Sequence, residues 1–100
     1  MIEAEVEREF RKQVRAAGGW PIKMRLIGLA GFPDRLVLWK GGGLDFVELK
    51  RPKGKARALQ KRVHEKLRYF GQQVFLIDTI EKVTAYVEHR QASRVSTASD

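Results

Sequence analysis

Two carboxylates and one amine stand where a short stretch of chain can bring them together: Asp34 after Pro33, then Glu48 and Lys50 two positions apart. Strand side chains alternate, so Glu48 and Lys50 share a face if Leu44 to Lys50 is a strand. Arg35 to Trp39 also reads as a strand, and the Lys40-Gly41-Gly42-Gly43 turn makes the two a hairpin that returns Asp34 to that face. Two carboxylates this close repel each other unless a cation joins them. Mg²⁺ accepts hard oxygen ligands, usually one or two carboxylates with waters and phosphate oxygens, and the Leu49 backbone carbonyl offers a further oxygen. A metal held by Asp34 and Glu48 would polarise a phosphodiester, lower the pKa of a bound water and offset developing negative charge. Lys50 would orient the attacking water or stabilise the extra charge, and no Cys or Ser nucleophile is needed. The same residues also fit a turn-capping Asp34 and a surface Glu48–Lys50 ion pair, so the surroundings must decide.

Charge placement bears on that choice. The formal net charge is +8. Between Lys50 and Arg68 lie nine basic residues against the single acid Glu65, and the rest of the chain carries eleven of each sign. A concentrated positive segment in an otherwise neutral chain is the footprint of a polyanion partner, although a solvated basic helix would share the pattern. Arg51, Lys53, Lys55, Arg57 and Lys61 are the residues expected to reach DNA phosphates, and Arg35 joins them beside the Gly28–Pro33 loop, where a structural ion pair is an equal alternative. The chain has no cysteine, which excludes disulfides and thiolate metal sites and fits a reducing cytoplasm. Its acidic start, Met1 to Glu5, does not read as a signal peptide, and no apolar run suits a membrane helix.

The positioning elements follow from periodicity. Ile2, Val6, Phe10, Val14 and Ala17 form one stripe of a helix that Gly18-Gly19 ends. Trp20 to Leu26 alternates as a strand, and Gly28 to Pro33 is a loop. Leu59, Val63, Leu67 and Phe70 mark a second helix from about Arg57, stopped by Gly71. Val74 to Ile77 is a buried strand. Asp78 with Glu81 resembles a capping box for a third helix with Ile80, Val83 and Val87 inward. The order αβββαβα predicts an α/β fold, a mixed sheet flanked by helices, with a right-handed crossover between the last two strands. One domain over residues 1–91 is expected, with 92–100 a loose tail. Trp20 and Trp39 are assigned to core or dimer contacts. His64 and His89 lack ligand spacing and read as exposed, with a phosphate contact open to His64.

Gly31-Phe32-Pro33-Asp34-Arg35, then Phe46-Val47-Glu48-Leu49-Lys50, then Gln60 and Gly71, resemble the VRR-NUC domain, a branch of the PD-(D/E)xK nuclease superfamily. The resemblance runs from about Glu3 to Ile80. It implies a restriction-endonuclease-like core, Mg²⁺ or Mn²⁺ dependence and phosphodiester cleavage. It makes Asp34 and Glu48 metal ligands and Lys50 the catalytic lysine. It also places an acid of the first helix near the metal: the match is Glu7, with Glu3 one turn earlier as rival. Gln60 corresponds to a helix glutamine close to the site. Stand-alone members of this size resemble phage and bacterial homodimers that cut four-way junctions, whereas larger members carry the domain in flap nucleases for DNA repair. A flap or nicking nuclease, or a basic DNA-binding module without activity, are the other functions this sequence fits.

Overall fold

The structure is a computed structural model that describes the backbone of residues 3–50 and 56–98 and the side chains of residues 4–50 and 56–92. Helix α1 spans Glu3–Ala16, strands β1 to β3 span Gly19–Lys23, Arg35–Trp39 and Leu44–Leu49, helix α2 spans Ala58–Tyr69, strand β4 spans Gln73–Ile77, and helix α3 spans Ile80–Ala98. The sequence order αβββαβα is therefore the order of the fold. The four strands form one sheet in the order β1-β2-β3-β4. β1–β2 and β2–β3 pair antiparallel, and β3–β4 pair parallel across the α2 crossover. Gly41 and Gly42 take positive φ in the β2–β3 turn, a region where a side chain would clash, which explains why the hairpin closes on glycines.

Side-chain parity divides the sheet. Val37, Val47, Leu49 and Ile77 face α1 and α3 and pack with Val6, Phe10, Val14, Val83, Tyr86 and Val87 in one apolar core. Ile2, expected at the head of the α1 stripe, lies outside the described residues. Asp45 also points into this layer and is fully buried. A buried carboxylate needs compensating partners. Tyr86 donates its O–H to Asp45 Oδ2 at 2.6 Å, Trp39 its indole N–H at 3.1 Å, and Arg90 its Nε–H at 2.7 Å. Arg90 Nη2 also pairs with Asp45 Oδ1. Burial and the hydrogen bond to Asp45 push the Tyr86 phenol far above its ordinary pKa. This network ties α3 to the hairpin, so the strands that present Asp34 and Glu48 are braced from behind.

Several expectations change. β1 ends at Lys23, short of Leu26, because the chain leaves the sheet for the loop before Asp34. The cap of α3 is Thr79, whose Oγ1 accepts the Lys82 N–H at 3.1 Å, while Asp78 pairs with the Lys82 ammonium at 2.8 Å. α3 also continues to Ala98 where a loose tail was expected; Ala92 to Ala98 holds no Gly or Pro that would break it. On α2 the apolar stripe is only partly covered, Val63 and Leu67 being half-buried. Leu59 and Phe70 are exposed, and the residue α2 buries is His64.

Candidate active site

Strand register sets the site. Arg35 pairs with Val47 and Leu36 with Phe46, so Asp34 stands one step beyond the ladder, opposite Glu48. Its carbonyl accepts the Met24 N–H at 2.9 Å, which fixes the return of the loop. Glu48 is only 5% exposed although ionisable. Lys50 Nζ lies 4.0 Å from its Oε2, and His64 Nε2 of α2 lies 4.0 Å from its Oε1. Glu48 and Lys50 thus share a face, as period-two alternation requires. The Lys50 N–H donates to the Ile77 carbonyl at 2.9 Å, extending the parallel ladder past the end of β3 and holding the lysine in line.

Arg35 joins the second half of the site. It is 4% exposed. Its Nη1 donates to Asp34 Oδ2 at 2.8 Å, and its Nη2 lies 3.1 Å from Glu7 Oε2. A guanidinium offers donors in a fixed fork, so one side chain can hold two carboxylates that would otherwise repel. Glu7 therefore comes to the site through Arg35, with Arg11 4.0 Å from its other oxygen. Of the two roles open to Arg35 in the sequence, the structure shows the ion pair: its buried guanidinium is committed to two acids. The Glu3 side chain lies outside the described residues.

The loop and α2 close the remaining side. A Cβ on Gly31 would lie 2.9 Å from Leu59 Cγ and 3.1 Å from the Leu59 carbonyl oxygen, so only glycine lets the loop approach the first turn of α2 this closely. Phe32 packs edge-on against Phe46 with ring centroids 5.3 Å apart. These contacts set Gln60 in the turn of α2 beside the loop that carries Asp34. Its Oε1 accepts the Arg57 backbone N–H at 2.9 Å, a cap for α2. Arg57 and Lys61 are exposed on the same helix, with Arg62 and Lys66. Arg51, Lys53 and Lys55, the other expected phosphate contacts, lie outside the described residues.

His64 is the residue that sequence reasoning placed wrongly. It is buried beside Glu48, and burial, Arg68 and Lys50 lower its pKa from the usual histidine value. The signal was present in its spacing. Gln60, His64 and Leu67 recur at steps of four and three, a stripe beside the apolar one.

The donor set fits a hard divalent cation. Asp34 Oδ1 is buried with no hydrogen-bond partner among the described residues, an arrangement that costs free energy unless something binds there. One step past the Arg35–Val47 pair, the register places Asp34 across from the position of Glu48, whose carboxylate is also buried, with Leu49 at the strand end. Among the described residues no three His, Asp or Glu side chains form a complete metal-ligating group. Mg²⁺ ordinarily takes one or two carboxylates and completes its shell with waters and phosphate oxygens. No helix of the described residues is long and apolar enough to cross a membrane.

Known proteins share the fold and much of the sequence. No family model matches the chain. "Putative nuclease p44" of Acyrthosiphon pisum secondary endosymbiont phage 1 is 38% identical over 77 residues, which is 77% of this chain and 83% of that protein. A solved structure described as a VRR_NUC domain superposes with a TM-score of 0.81 at 33% identity, covering 87% of this chain and 95% of the other. With a shared fold, a nuclease relative and the Asp34, Glu48 and Lys50 motif at the paired ends of β2 and β3, the chain belongs to the VRR-NUC family of nucleases.

Proposed function

We propose that this nuclease is a Mg²⁺- or Mn²⁺-dependent endonuclease that cuts branched DNA, four-way junctions foremost, as a homodimer. The observation that carries the metal-dependent reading is the buried, unbonded Oδ1 of Asp34 opposite the buried Glu48, with Lys50 4.0 Å from Glu48. A divalent cation held by Asp34, Glu48 and the Leu49 carbonyl would supply Lewis-acid polarisation of the scissile phosphate and a more acidic water. Lys50 positions the attacking water and stabilises negative charge gathering on the phosphate. Arg35 keeps Asp34 turned toward the site and Glu7 anchored behind it. Arg57 and Lys61 hold flanking phosphates and bring substrate in by long-range attraction. The phage source of the relative favours action in the cytoplasm of a bacterial or phage-infected cell.

A dimer is favoured by exposed apolar surface on β1 and in the loop before Asp34. Trp20 is 63% exposed on edge strand β1, and Ile27 is fully exposed in the loop between exposed Leu26 and Leu29. One copy offers one site, and paired incision across a junction needs two. Labelled four-way junction, flap and plain duplex, each incubated with protein and Mg²⁺ beside a sizing column, test the proposal. Junction cleavage by a dimer supports it. Preference for the flap moves the assignment to a repair nuclease, and binding without cutting moves it to a DNA-binding module.

A further inference from the structure

α2 leaves Leu59 exposed and buries an imidazole instead. An amphipathic helix ordinarily buries its apolar stripe, and a buried polar ring is unfavourable unless it meets a partner. His64 Nε2 is buried without a hydrogen-bond partner among the described residues, and the group it faces is Glu48 Oε1 at 4.0 Å. Lys50 approaches the other oxygen of the same carboxylate at the same distance. The two oxygens are thus addressed by two elements, one by α2 and one by β3.

We propose that His64 is a positioning residue whose Nε2–H holds Glu48 Oε1 and fixes the orientation in which that carboxylate meets the cation. This rests on the reading of Glu48 as a metal ligand. At 4.0 Å the two atoms are neighbours with no other group of the described residues bonded to Nε2, and catalytic hydrogen bonds are often longer than ideal outside the reacting complex. Lys50 alone cannot orient Glu48, because a flexible ammonium is a point charge that leaves the plane of the carboxylate free. The imidazole ring, locked in the packed face of α2, supplies a fixed direction. Groups behind a metal ligand influence affinity through this geometry without touching the metal.

The test measures Mn²⁺ binding to the intact protein by electron paramagnetic resonance, which needs no turnover, with thermal unfolding recorded beside it. His64→Leu removes the donor and keeps bulk. His64→Gln keeps an N–H near the place of Nε2. The expected result is Mn²⁺ affinity lowered roughly 10- to 100-fold in His64→Leu and largely restored in His64→Gln. Should His64→Leu not fold, His64→Asn, whose shorter amide stops short of Glu48, replaces it in the comparison. Equal affinity in the wild type and the donorless variant overturns the proposal, and so does equal weakening in the donorless and Gln variants, which would mark a packing role. Wild-type protein that binds no Mn²⁺ overturns the metal reading together with this one, so the two failures are distinct.

Discussion

Replacing Arg35 by Met tests how the two halves of the site are held together. The side chain keeps its length and its burial but loses the charge that lies between Asp34 and Glu7. Breaking a fully buried ion pair by deleting one partner costs about 3–5 kcal/mol. Here the Glu7 and Asp34 side chains are 28% and 34% exposed, and water screens what remains. The cost should therefore fall to roughly 2–3 kcal/mol. For a domain of this size each kcal/mol moves the midpoint by about 4–8 °C, so Tm should drop roughly 10–20 °C. Circular dichroism melts and urea titrations measure the loss. A double-mutant cycle with Glu7→Gln isolates the pair, and Arg35→Met should harm the Glu7→Gln background less, by about 1 kcal/mol or more. An Arg35→Met protein within about 0.5 kcal/mol of the wild type, or a cycle with no coupling, would refute this account of Arg35.

Three further outcomes are expected. Lys50→Ala should bind Mn²⁺ as tightly as the wild type while kcat falls roughly 10²- to 10³-fold; retained turnover in single-turnover kinetics would remove Lys50 from the reaction. In DNA affinity measured against salt, Arg57→Ala and Lys61→Ala should each flatten the log–log slope by about 0.9, and unchanged slopes would take those residues off the phosphates. The raised Tyr86 pKa gives a stabilising contribution that is complete below the unfolded tyrosine value of about 10 and is lost as pH climbs toward the folded value. Urea unfolding of Tyr86→Phe should accordingly decline less steeply above pH 10 than that of the wild type, and parallel profiles would argue against the linkage.

Much of the strand pair that carries Glu48 and Lys50 was legible because its cues are local. The period-two spacing of Glu48 and Lys50, and a glycine turn between two apolar runs, suffice to place both side chains on one face and Asp34 opposite. Arg35 was harder to place because its role depends on α1 bringing Glu7 to the start of β2, a tertiary contact that no neighbouring residue announces. His64 was misplaced because Leu59, Val63, Leu67 and Phe70 make a convincing stripe and draw attention from the neighbouring position; Val63 and Leu67 are half-buried, but His64 beside them is the residue that approaches Glu48. Asp45 carried a signal that could have been used. It alternates with Val47 and Leu49 on the inward face, and an acid in such a position implies buried donors, which Tyr86, Trp39 and Arg90 supply. The length of α3 was underestimated because a polar end resembles a tail when no stop signal is weighed.

The most direct test of the central claim is cleavage of a labelled four-way junction by the wild type and by Asp34→Asn, with Mg²⁺, with Mn²⁺ and with chelator. The account predicts cutting by the wild type only when a divalent cation is present, and an Asp34→Asn protein that still binds the junction but leaves it whole. Cutting in chelator, or an Asp34→Asn protein that cuts at the wild-type rate, would contradict it.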